Sequence, residues 1–286
     1  MTTVVTLDVF SGLPNPTWQL TAAHEKELDD RIRASSTFTH SRPSGVVGGL
    51  GYRGFHIAQR IDSLTGPSRL FLHEGILDRG LGLANYVADS DIEKWLITTS
   101  GSATNDEVRQ HVNSRIATHA QTKFDANLAA PASCPPCHAV DAPAYNPGIW
   151  NVPNIQPYNN CYNYANNNAT NTFAQPGRAS GHPATAMACS NVQPAAQSDG
   201  LVPAANFTSP LAAGSGWYVA LVVWPNNDYH WYRQDNVGCW SHKPGQTAVR
   251  NVDNAGAAIT DPKTCNRGPY TDFCTYMVTS RSVHIR

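Results

Sequence analysis

Eight apolar residues run without interruption from Trp217 to Trp224, and Pro225-Asn-Asn-Asp228 halts them with a turn. A run of that length between turn residues reads as a strand covered on both faces. Tyr229 to Gln234 and Cys239-Trp-Ser-His242 follow, separated by Asn236-Val-Gly238, which predicts a meander of three antiparallel strands. If the loop is Asn236–Gly238, His242 stands opposite Tyr232, and alternation puts His230, Tyr232, Gln234 and His242 on one face. A two-residue loop would send His242 to the other face.

The first 125 residues predict a separate mixed domain. Val4 to Phe10 is a strand stopped by Ser11-Gly-Leu-Pro-Asn-Pro16, and residues 21–34 form a charged helix opened by Thr21. Arg69 to His73 is a short strand. Ser90-Asp-Ile-Glu93 and Thr104-Asn-Asp-Glu107 match capping boxes, and Val108, Val112 and Ile116 recur every four residues behind the second. From 126 to 142 the chain turns rich in Pro and Ala around Cys134-Pro-Pro-Cys137-His138, which reads as a linker or wrapping segment. The expected organisation is therefore a domain over 1–125, a linker over 126–142 and a second domain over 143–286, α+β in class.

The chain has 286 residues, 41% apolar and 14% charged, with a net charge of -1, which suits a packed soluble globule. It carries no block of five like charges and no stretch of eighteen apolar residues, so neither nucleic acid nor membrane is an expected partner. Its N-terminus lacks a basic start followed by an apolar region, so no classical export signal is expected. Seven cysteines pull the other way: the six besides Cys161 allow up to three disulfides, a number compatible with export.

Chemistry concentrates in three side chains. Cys161 opens a short helical stretch, and His230 and His242 follow in the meander. A thiol attacks well only as thiolate, so it needs a helix start, an imidazole to take its proton and a group to orient that imidazole. Asn159, Asn160 and Gln234, with the backbone N–H of Cys161, are candidate donors to an oxyanion. Tyr232 and Trp240 are candidate walls of a cleft.

Cysteine on a helix, then histidine on a strand, then a polar residue on the next strand is an order that resembles the papain-like cysteine hydrolases, in particular the NlpC-like cell-wall peptidases and amidases. The matching positions span residues 158–245. The resemblance implies a papain-like second domain, with Cys161 as nucleophile, His230 as general base and His242 as its orienter. It implies hydrolysis or transfer at an amide, peptide or ester bond through an acyl-cysteine intermediate, on a peptide or amide substrate and without a cofactor. In that group the base stands in a Gly-His dipeptide heading the first apolar strand, where this chain has Gly216-Trp217, so a relative that has lost its base is the inactive variant of the same reading. Asp253 or Asp261 could replace His242.

Two other readings remain open. Cys134, Cys137, His138, His182 and Cys189 could together supply a zinc set, although no second tight ligand pair is present. Alternatively the chain is a non-enzymatic, disulfide-stapled secreted binding or toxin-like module in which Cys161 pairs with Cys189 or Cys239.

Overall fold

The computed structural model describes residues 2–38, 49–59, 68–78, 85–87, 90–119 and 133–286. It divides into two units. The first comprises Met1–Val9, Asn15–Val47 and Gly51–Ala126, and the second comprises Phe10–Pro14, Gly48–Leu50 and Asn127–Arg286. Residues 126–132 of the expected linker lie outside the described residues.

In the first unit the strands are β1 (Thr3–Asp8), β2 (Thr17–Gln19), β3 (Ser36–Phe38), β4 (Gly54–Gln59), β5 (Ser68–His73), β6 (Ile76–Asp78) and β7 (Asn85–Val87), and the helices are α1 (Ala22–Ala34), α2 (Ser90–Thr98) and α3 (Asp106–His119). The strands form one antiparallel sheet in the order β2-β1-β4-β5-β6-β7-β3. Val5 and Leu7 point into the core beside Phe55, Ile57 and Leu72, the alternation that β1 and β4 carry in sequence. Thr21 caps α1 as expected, its side chain accepting from the His24 N–H.

The Glu93 carboxylate is buried and accepts from Tyr52 Oη and from the N–H groups of Glu74 and Gly75, and so anchors the β5–β6 turn; the Ser90 side of that expected capping box lies outside the described side chains. In α3 the capping side chain is Asn105, whose Oδ1 accepts from Val108 N at 2.9 Å, while Thr104 bonds Ser100. Arg53 and Asp8 form a buried ion pair at 2.6 Å. Burial alone would raise the Asp8 carboxyl, but the guanidinium outweighs it and holds the group below the usual range.

The second unit contains α4 (Pro147–Trp150), α5 (Cys161–Ala165), α6 (Cys189–Ser198) and the strands β8 (Val202–Ala204), β9 (Trp217–Trp224), β10 (Asp228–Gln234), β11 (Trp240–His242) and β12 (Asp272–Thr279). The sheet is antiparallel in the order β11-β10-β9-β12-β8. All eight residues of β9, its central strand, are buried, which accounts for their lack of alternation. Tyr232 stands opposite His242 and Gln234 opposite Trp240, the register of the three-residue loop. The whole chain is thus mixed α and β with two antiparallel sheets among the described residues.

Two disulfides staple this unit. Cys134–Cys239 ties the incoming segment to the β10–β11 turn, and Cys189–Cys274 ties α6 to β12. Cys137, Cys161 and Cys265 are thiols. These pairings correct the module in which Cys161 bonds Cys189 or Cys239. They also dismantle the zinc set, since Cys134 and Cys189 have no sulfur left to ligate with. The stretch from Cys134 to Ala142 is no loose tether: Leu211 N donates to His138 O and Asn236 N to Pro143 O.

Candidate functional site

The helix carrying Cys161 is only five residues long, and its composition is poor for a helix, so its start needs support. Asn160 supplies it. Its Oδ1 accepts from Tyr162 N and Asn163 N, and Asn163 returns the bond to Asn160 N. The Asn160 amide then donates to Gly12 O and Ala174 O. Asn159 is spent likewise on Ile155 O and Asn171. The two asparagines among the expected oxyanion donors therefore hold backbone in place.

Alternation along β10 turns successive side chains toward α5 or toward His242, and the Ser11 hydroxyl lies beside both the Cys161 thiol and the His230 ring. Trp231 and Arg233 face α5, where Trp231 meets Tyr162 at 5.4 Å and the guanidinium lies over Tyr164 at 4.1 Å. His230 and Tyr232 point the other way, to His242, with ring centroids 5.0 Å apart in the His230–His242 and Tyr232–His242 pairs. The Cys161 thiol meets the strand backbone, donating to Tyr229 O at 4.0 Å. Cys161 is 0% exposed, and burial, then the charge of Asp228, pushes its pKa up, outweighing the nearby Trp231 N–H, Ser11 hydroxyl and Lys243. A buried, protonated thiol is a poor nucleophile.

His230 is occupied at both ring nitrogens. Its Nδ1 lies 2.5 Å from Ser11 Oγ and its Nε2 lies 2.9 Å from His242 Nδ1, while His242 Nε2 lies 3.1 Å from Val252 O. A carbonyl only accepts, so with both rings neutral His242 carries its proton on Nε2 and accepts at Nδ1. His230 then donates from Nε2 and accepts at Nδ1 from the Ser11 hydroxyl, which in turn accepts from Gly245 N at 3.2 Å. The run hydroxyl–imidazole–imidazole–carbonyl has the order of a proton relay, but Ser11, His230 and His242 are at most 1% exposed and no substrate reaches them.

The residues that organise this cluster were not expected from sequence. Asp228 is fully buried and accepts from Ser11 N at 2.5 Å, Gly12 N at 3.1 Å, Leu13 N at 2.8 Å and Tyr270 Oη at 2.5 Å. Burial raises its pKa to about 6 against those four donors. Gly12 packs so closely that an added Cβ would stand 2.5 Å from the Tyr229 ring. Both segments read only as turns from sequence, because their partners lie more than 200 residues away.

The remaining expected site residues serve packing. Gln234 Nε2 donates to Gly238 O and braces the hairpin turn, and Trp240 packs edge-on against Phe207 at 5.4 Å. Asp253 and Asp261 accept from loop N–H groups and from Tyr276 Oη, apart from His230. Among the described residues no group of three His, Cys, Asp or Glu side chains could hold a metal, and no helix is long and apolar enough to cross a membrane.

No protein-family model matches the chain, and no solved structure is similar to it. A curated relative does match: insoluble matrix shell protein 1 of Ruditapes philippinarum, 50% identical over 133 residues, which are 46% of this chain and 87% of that protein. This overturns the expectation of a soluble cysteine hydrolase working through an acyl-cysteine intermediate, because the relative is a matrix component by description and insoluble. The closed thiol and doubly engaged His230 give the physical reason. With half of the 133 aligned residues identical over 87% of that relative's length, the chain belongs to the family of insoluble matrix shell protein 1.

Proposed function

We propose that this protein is a non-enzymatic, disulfide-stapled structural component of an insoluble extracellular matrix. The observation that carries the reading is the 50% identity to a shell matrix protein over 87% of that protein's length. Two disulfides support an oxidising destination, where such bonds persist. The buried cluster of Ser11, Asp228, His230 and His242 supports it too, since a fully satisfied polar network rigidifies a unit. The finer fold assignment belongs to the same proposal: a papain-like layout, supported by α5 resting on β10 with Cys161 in its first turn, is here put to structural use.

Fractionation tests the proposal. Native material is extracted in turn with salt, with nonionic detergent, and with denaturant plus reductant, and each extract is probed with an antibody to the chain. The protein is expected in the last fraction. Its quantitative recovery in the salt extract would overturn the reading.

A further inference from the structure

Of the three thiols, one is placed to act on a disulfide. Cys161 is sealed in the core, and Cys265 bonds Tyr232 Oη and Pro262 O, with burial pushing its thiol up to about 11. Cys137 is half-buried, its thiol donates to Ala139 O at 3.4 Å, and it stands three residues after Cys134, whose sulfur is bonded to Cys239. The two ends of the bridge differ: Cys134 is exposed on the entering segment, whereas Cys239 is 8% exposed at the start of β11.

The backbone brings Cys137 to the buried end. Gly238, next to Cys239, has φ +91, and a Cβ there would stand 1.6 Å from Pro135 O and 3.2 Å from Cys137 N. The Cys134–Cys137 segment is therefore pressed onto the hairpin turn, closely enough that only glycine fits beneath it. A Cys137–Cys239 bridge calls for Cα atoms about 5.5 Å apart, and the contact of the Cys137 backbone N with the residue before Cys239 places the two on the same turn.

We propose that Cys137 and the Cys134–Cys239 disulfide form a thiol–disulfide relay that joins copies of this chain covalently. The proposal rests on the matrix reading and names its partner, a second copy. In the first step the Cys137 thiolate attacks Cys239 Sγ. The Cys137–Cys239 bond forms, the Cys134–Cys239 bond breaks, and Cys134 leaves as thiolate and takes the proton that Cys137 gave up. In the second step that exposed Cys134 attacks Cys134 Sγ of a second copy. The Cys134–Cys134 bond forms and Cys239 of the second copy leaves as the thiol. Across the two copies two disulfides remain two, and the two thiols consumed are replaced by two, so no oxidant is required. The second copy keeps Cys137 and Cys239 as thiols, and with both Cys134 sulfurs spent the product is a covalent dimer.

The test uses the full chain, purified and held under argon at pH 8 without oxidant. The readouts are non-reducing gels, a total thiol count and peptide mapping of disulfides. The relay predicts a covalent dimer that collapses on reduction, an unchanged thiol count, and peptides linking Cys137 to Cys239 and Cys134 to Cys134. C137S should slow dimer formation at least tenfold with a wild-type near-UV spectrum, and C265S should leave the rate unchanged. Should C137S lose its fold, alkylating Cys137 on the native protein makes the same comparison. Absence of the dimer, an equal rate without the Cys137 thiol, or links through Cys265 would overturn the relay. Failure here with the native protein still confined to the denaturant extract sinks the relay and spares the matrix reading; a covalent dimer with freely soluble native protein does the reverse.

Discussion

Removing the Cys189–Cys274 staple with the pair C189A/C274A should cost the second unit about 4 kcal/mol. The bridge spans 85 residues, and closing a loop of that length in the unfolded chain is worth about 4.5 kcal/mol at 25 °C. Cys134–Cys239 already closes part of the same stretch, which shortens the effective loop, but the logarithmic dependence on length takes away only a few tenths of a kcal/mol. Little in α6 compensates, since its buried side chains are Val192, Ala195 and Ala196 and Pro194 interrupts it. Urea unfolding followed by tryptophan emission reads this unit directly, because Trp150, Trp217, Trp224, Trp231 and Trp240 are all buried in it. With a slope of about 2.5 kcal/mol/M the midpoint should fall by about 1.5 M. A fall below about 0.4 M would refute the reasoning, since the bridge would then be constraining no freedom of the unfolded chain.

Cys161 should resist iodoacetamide in the native protein at pH 8 and label only as the unit unfolds, because burial and the Asp228 charge hold it as the thiol; labelling at the rate of an open thiol, located by peptide mass, would contradict the sealed site. Asp228, raised from 3.8 to about 6, binds its proton more tightly folded than unfolded. Its contribution is therefore fully present below pH 3.8 and lost as pH rises through 6, a fall of about 3 kcal/mol that urea midpoints from pH 3.5 to 7 should show and D228N should flatten. H242L removes the acceptor of His230 Nε2 and the donor to Val252 O inside the core, and should cost about 2–4 kcal/mol by the same unfolding assay, whereas a loss under 1 kcal/mol would mean that the histidine run is not satisfied as described.

How far the fold could be read from sequence depended on how far apart the partners lie. The β10–β11 hairpin was legible down to its register, because the Asn236–Gly238 loop and the pleat together decide that Tyr232 meets His242. The uninterrupted run of β9 was legible as a strand for the same local reason. Ser11 and Asp228 were not, since the contact between residues 217 apart leaves no periodicity to find. The anchoring role of Glu93 was not legible, because the turn in the neighbouring hairpin offers it two N–H groups and a tyrosine hydroxyl that only the folded sheet brings near. The thiol and the histidines were correctly placed in helix-then-strand order. Order does not say which face of β10 each side chain takes or what already sits on the imidazole, because both depend on Ser11 and on partners far along the chain.

The two disulfides interlock along the chain: Cys134 and Cys189 precede the exposed loop around Ala212–Ser215, and Cys239 and Cys274 follow it. A protease that cuts anywhere between Cys189 and Cys239 produces two fragments joined by both bridges, so the break sheds no material. Moving the first bridge from Cys134 to Cys137 keeps that property. Release of either fragment requires reduction as well as cleavage, so in an oxidising surrounding a nicked molecule stays in one piece.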